Sequence, residues 1–282
     1  MVSADNHQHS IPTLIDVPVG LEQAVWVERP VVQQGDSILA PLAWEELMCR
    51  QVGQGHPPVI HLWRHTDGMA IGLRDRRLTY ATQAMEQFRQ QGTSVCVRPS
   101  GGAAVPLHPG IVNISIILPN PKRNISIHRD FRFMADWISR AVDPWNTDAY
   151  VGEIEGAFCP GDYDVSLDGR KFCGIAQRRQ AKAYIITAFI IVEGNGDELS
   201  AGIRRFYDLA VGEQDKGYPV VKQGTMGSLS ELAQVPDVSS YTKQLKKILT
   251  EGQSIQMINE QAVFSAKEIQ QMEDYLIQRY DE

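Results

Sequence analysis

The chain has 282 residues, 43% of them hydrophobic and 22% charged, which is enough apolar material for a sizeable core and excludes general disorder. A net charge of -7, with basic residues clustered only in pairs such as Lys122-Arg123 and Arg178-Arg179, excludes a broad nucleic-acid footprint. No run approaches about 18 apolar residues and Met1 to Leu14 has no apolar core, so neither a membrane span nor a secretory signal is expected, and the location expected is cytoplasmic.

In chain order, Pro41 to Gly53 predicts an amphipathic helix, with Pro41 in the first turn and Gly53 ending it. Val59 to Trp63 and Met69 to Leu73 predict a strand pair around Thr66-Asp67-Gly68. Ala81 to Gln91 is helical, with Gly92 as its C-terminal stop. Val95 to Val97 and Ile111 to Leu118 are strands, joined by a glycine-containing stretch from Ser100 to Gly110. Phe131 to Val142 repeats its apolar residues at helical spacing, and a short strand is expected before Gly156.

Tyr163 to Leu167 and Arg170 to Gln177 flank Asp168-Gly169, a two-residue hairpin turn whose central positions both need positive φ. Ala183 to Val192 continues as a long strand. Helices are expected around Arg204 to Ala210, Tyr241 to Glu251 and Ala266 to Arg279, the last with Ser265 and Glu268 as a capping box. Hairpins among interspersed helices predict an α/β (α+β) fold, a mixed central β-sheet flanked by helices. No linker or composition shift divides the chain, so residues 1–282 are expected to form one domain, with a core from about residue 40 to 210 and a helical C-terminal region from about 229.

Cys49, Cys96, Cys159 and Cys173 lie far apart and form no CxxC pair, which removes the usual zinc signature; no metal is expected. Cys159 is flanked by Pro160-Gly161 and so sits in a turn just before the hairpin, where a reactive group is exposed on a rigid frame. A nucleophilic thiol needs a nearby cation, and Lys171 on the returning strand is the candidate; the plain alternatives are a small packing cysteine and a solvated lysine. Gly101-Gly102 lets backbone approach a ligand closely, and Arg98 beside it suits a carboxylate or phosphate, although glycine pairs more often only make turns. Asn113 and Ser115 alternate on one strand face, which fits either a wet cleft or a solvated sheet face. Spacing does not decide whether His108 is a base, a ligand contact or a surface residue.

Taken together, two segments resemble the lipoate-protein ligase and octanoyltransferase family, whose domain is shared with biotin-protein ligases. Arg98-Pro99-Ser100-Gly101-Gly102-Ala103-Ala104-Val105, with Asn113-Ile114-Ser115 after it, resembles the family's Arg-x-Ser-Gly-Gly-x-x-Val motif and its following Asn-x-Ser strand. Lys171-Phe172-Cys173-Gly174-Ile175-Ala176-Gln177 resembles its Lys-x-x-Gly-x-Ala-Gln signature. The resemblance runs from Leu42 to Tyr207 and implies a biotin/lipoate-protein ligase-like catalytic domain.

Within that family the Cys159-Pro160-Gly161-Asp162-Tyr163-Asp164 segment is most similar to the amidotransferase branch. That similarity implies octanoyl transfer from octanoylated glycine cleavage H protein to lipoyl domains of 2-oxoacid dehydrogenase complexes, through a thioester on Cys159. It further implies Cys159 and Lys171 as catalytic residues, substrate contacts at Arg98, Ser100, Gly101, Gly102, Asn113 and Gly174, and no cofactor. Ala103-Ala104 replaces a more glycine-rich ligase loop, which weighs against ATP. The alternatives are an acyl-carrier-protein donor, an ATP-dependent lipoate ligase and a non-catalytic binder of lipoyl domains.

Overall fold

The computed structural model describes residues 16–18, 20–121, 126–145, 147–250 and 256–281. The readings of Met1 to Leu14, of the pair Lys122-Arg123 and of a helix end at Glu251 lie outside the described residues. In chain order the elements are β1 (Val25–Glu28), α1 (Ala40–Val52), β2 (Val59–Trp63), β3 (Gly68–Ile71), α2 (Ala81–Gln90), β4 (Ser94–Val97), β5 (Val105–Leu107), β6 (Ile111–Pro119), α3 (Ile127–Arg140), β7 (Tyr150–Val151), β8 (Val165–Leu167), β9 (Arg170–Arg179), β10 (Ala183–Ile191), α4 (Gly196–Ala210), α5 (Leu229–Ala233), α6 (Val238–Thr250), β11 (Gln256–Ile258) and α7 (Ala266–Tyr280).

Eight strands form one mixed sheet in the order β11-β1-β2-β6-β10-β9-β8-β7, and β4-β3-β5 form a second, smaller sheet. In the large sheet β11, β1 and β2 run parallel and the remaining neighbours antiparallel; in the small one β3 is parallel to β4 and antiparallel to β5. The backbone of the large sheet is the β6–β10 pairing, in register from Ile111↔Ile191 to Pro119↔Ala183. Both strands are largely apolar because helices cover both faces, with Asn113, Ser115 and Thr187 as the polar exceptions. On one face Ile114 and Ile116 pack with Phe133, Trp137 and Ile138 of α3 and with Tyr241 and Leu245 of α6, and Trp137 Nε1 donates to Leu245 O at 2.9 Å. Each such buried aliphatic or phenyl side chain contributes roughly 1.5–3 kcal/mol. On the other face Ile117 and Ile185 meet Trp44 and Met48 of α1.

The Val59–Trp63 and Gly68–Ile71 strands do not pair with each other as the sequence suggested. The β2 strand lies between β1 and β6, whereas β3 lies between β4 and β5. His65 Nδ1 accepts from Asp67 N–H at 3.0 Å, so the turn is closed locally while the chain crosses from one sheet to the other. The hairpin at Asp168-Gly169 is present with φ of +48° and +73°, and Leu167 pairs with Arg170 across it. Ser265 and Glu268 make the expected capping box on α7. Among the described residues no helix is long and apolar enough to cross a membrane.

Candidate active site

Cys159 lies on the loop between β7 and β8, with its backbone in the left-handed region at φ +48°, and it is buried at 9% exposure rather than exposed as its place in a turn suggested. Left-handed φ is unfavourable for a residue with a Cβ, so the surroundings must hold it there. The Lys171 ammonium, fully buried, donates to the carbonyls of Phe158 at 3.0 Å and Cys159 at 2.6 Å and pairs with Asp164 Oδ2 at 2.8 Å. Asp164 also accepts from Gly161 N–H at 3.0 Å, which closes the turn after the cysteine. Burial raises the Asp164 carboxyl from its ordinary 3.8 to about 6, against the pull of the Lys171 charge. Gly174 leaves the space that Phe189 occupies: a Cβ there would lie 2.6 Å from that ring and 3.2 Å from Lys171 Nζ.

The cation that touches the sulfur is Arg98. Its Nη2 donates to Cys159 Sγ at 3.2 Å and to Ala103 O at 2.6 Å, and the Ala103 N–H donates to the same sulfur at 3.3 Å. Gly102, at φ +95°, permits this approach: a Cβ would collide with Arg98 Nη2 and lie 2.9 Å from Sγ. Gly101 N–H reaches Gln177 O at 3.4 Å, so the glycine loop is stitched to β9 and the two motif segments meet at the cysteine. The sequence paired the thiol with Lys171. The geometry instead places Lys171 on the loop's carbonyls and Arg98, 61 positions away in sequence, on the thiol.

The other thiols are buried without such partners. Burial pushes Cys49 and Cys96 up to about 12 and raises Cys173 well above the ordinary range, so each favours the protonated, inert form. Cys159 and Cys173 are both free. His108 is exposed and turned onto its own loop, accepting from Gly110 N–H at 3.0 Å.

Beside Arg98 a narrow cavity of about 40 Å³ runs between α1 and the two sheets, lined by Leu42, Trp63, Ala70, Val105, Leu107 and Ile185. Arg98, Ser100 and Asn113 line it too. Asn113 Nδ2 is buried with no partner among the described residues, an unmade hydrogen bond that suits a ligand's acceptor. Ser115, by contrast, is sealed in the sheet, its hydroxyl donating to Thr187 at 3.0 Å. Among the described residues no group of three or more His, Cys, Asp or Glu side chains is gathered to hold a metal. Asp164 was not singled out from the sequence, although the Gly161-Asp162-Tyr163-Asp164 turn signal beside the cysteine offered a route to it.

Residues 37–250 match the model of the lipoyl protein ligase A/B catalytic domain. An octanoyl-[GcvH]:protein N-octanoyltransferase of Anoxybacillus flavithermus is 37% identical over 217 residues, 75% of this chain and 78% of the relative. A lipoyl-[GcvH]:protein N-lipoyltransferase of Listeria monocytogenes is 33% identical over the same shares, 75% and 78%. Among solved structures, lipoate-protein ligase A bound with ATP superposes with a TM-score of 0.66 at 18% identity, covering 92% of this chain and 96% of that one. The fold is therefore that of the lipoate ligases, and the chain belongs to the lipoyl protein ligase A/B catalytic domain family.

Proposed function

We propose that the chain moves an octanoyl group from octanoylated glycine cleavage H protein to the lysine of lipoyl domains in 2-oxoacid dehydrogenase complexes, through a thioester on Cys159. The observation that carries this reading is a thiol held by a guanidinium at 3.2 Å and a backbone N–H at 3.3 Å beside an apolar slot. The relatives named for octanoyl and lipoyl transfer from that protein support the donor. Four free cysteines fit a reducing cytoplasm.

In the first half-reaction the Cys159 thiolate adds to the donor amide carbonyl, the C–N bond breaks, and the donor lysine leaves after taking a proton. In the second, the acceptor lysine amine adds to the thioester, the C–S bond breaks, and the thiolate returns as the amine loses a proton. One amide replaces another, so the exchange needs no nucleotide. Arg98 Nη2 and the Ala103 N–H donate to the Cys159 sulfur, where negative charge gathers when the thiolate attacks and when it leaves. Lys171, through the two carbonyls it binds, keeps the cysteine in its left-handed conformation. Asn113, Ser100 and the glycines at 101, 102 and 174 shape the acyl site.

An octanoyl chain buries six methylenes, worth about 0.8 kcal/mol each. The cavity of about 40 Å³ holds only about three waters, so binding has to displace lining side chains and will realise less than that sum.

Intact-mass analysis after mixing with octanoylated H protein tests the reading. One octanoyl group is expected on the wild-type chain and none on a folded Cys159→Ala variant, which should also fail to transfer. Turnover by that variant would sink the thioester. Loading only from octanoyl-acyl carrier protein, strict ATP dependence, or a stable complex without an acyl adduct would each select one of the other readings.

A further inference from the structure

Arg98 and the Ala103 amide touch the sulfur, but neither is held in place by the cysteine loop. The glycine loop is anchored from its other side. Tyr207, on α4, accepts from the Ala104 N–H at 3.3 Å and donates its hydroxyl to Asp75 Oδ1 at 3.0 Å. Asp75 Oδ2 accepts from Gly72 N–H at 2.9 Å. Gly72 in turn is jammed against the loop, since a Cβ there would collide with Gly102 O. The Tyr207 ring is buried, stacked on Tyr218 with centroids 6.0 Å apart and set edge-on against Phe206 at 5.3 Å. Neither Tyr207 nor Asp75 lines the cavity beside Arg98, and neither touches the sulfur.

We infer that Tyr207 and Asp75 are positioning residues that clamp the glycine loop, so that the Ala103 N–H and the Arg98 guanidinium stay aimed at the Cys159 sulfur. The Ala104 N–H and the Ala103 carbonyl share one peptide plane, so fixing that N–H to Tyr207 fixes the carbonyl that accepts from Arg98 Nη2 and limits how far the Ala103 N–H can swing. Without the hydroxyl the Ala104 N–H keeps only the Asp75 carboxylate as a partner, and the loop gains freedom to turn. Displacements of this size far from the reacting atoms are enough to matter, because donors act on developing charge only when held ready. The inference rests on the thioester reading of Cys159.

The test is Tyr207→Phe, which keeps the ring and its packing. Thioester formation from octanoylated H protein should slow between about ten- and a hundredfold, with KM for the donor unchanged. Alkylation of Cys159 by iodoacetamide, read on its tryptic peptide without any donor, should slow as well. Asp75→Asn should act in the same direction, and the double variant should be no slower than the slower single, because both changes release one clamp. If Tyr207→Phe does not fold, Asp75→Asn carries the same expectation. A folded Tyr207→Phe protein with wild-type alkylation and turnover would overturn the clamp, as would rate losses that merely track the unfolded fraction. Slowed alkylation together with transfer by Cys159→Ala would instead sink the thioester and leave the clamp standing.

Discussion

Two cations serve one cysteine from different sides, and they do different work. Lys171 is fully buried and uses its ammonium on two main-chain carbonyls and the Asp164 carboxylate, so its surroundings are those of a structural ion pair. Arg98 reaches the sulfur, keeps its Nε without a partner among the described residues, and lines the cavity. The contrast teaches that a lysine close to a cysteine in the fold need not be the cation that touches its sulfur. A buried ammonium can build the turn that presents the thiol, while an arginine from a remote loop supplies the charge.

Lys171→Met should break this comparison most severely. Leaving a buried carboxylate without its counter-ion costs about 3–5 kcal/mol, so thermal denaturation should show a large drop in stability together with lost transfer. Adding Asp164→Asn should restore much of the stability, because the orphaned charge is gone, yet transfer should stay low because the Phe158 and Cys159 carbonyls still lack their donor. Recovery of transfer with stability would show that Lys171 acts only through the fold. Arg98→Met should do the reverse. Stability should fall by about 1–3 kcal/mol, whereas thioester formation should slow by about a hundred- to a thousandfold and alkylation of Cys159 by iodoacetamide should slow as well. If the Arg98→Met protein were alkylated and acylated at the wild-type rates, the role given to Arg98 would be lost.

How much of this was legible follows from the range of each interaction. The β8–β9 hairpin could be read because Asp168-Gly169 states its own backbone requirement, and α1 and α7 because their first turns carry Pro41 and the Ser265–Glu268 box. Local signals misled at Thr66-Asp67-Gly68, where a real turn joins strands of different sheets. β5 was hidden because Pro106 argues against a strand; it is tolerated there because β5 is an edge of the small sheet. The motif residues were visible as a set, but the contact between Arg98 and Cys159 was not, since the β6–β10–β9 register brings together segments far apart in sequence. Tyr207 shares the α4 face that buries Ile203 and Phe206, and nothing in its spacing marks the hydroxyl.

The smallest expected effect sharpens the comparison on the Lys171 side alone. Asp164 titrates near pH 6 in the folded chain, above its ordinary 3.8, because burial disfavours the carboxylate more than Lys171 favours it. Between those values the folded state holds more protons than the unfolded one, so the contribution of Asp164 to stability declines as pH rises from about 4 to 6. Transfer should run the other way. Below about pH 6 the carboxyl is neutral, Lys171 loses its counter-charge, and the turn after Cys159 is held less firmly, which should trim the rate a few-fold. Asp164→Asn, neutral at every pH, should abolish that stability slope in urea titrations and flatten the acid limb of the transfer rate near pH 6. Arg98→Met should retain both, because its guanidinium does not touch Asp164. An acid limb that survives Asp164→Asn would assign it to another group, leaving Asp164 to pair with Lys171 without reporting on catalysis.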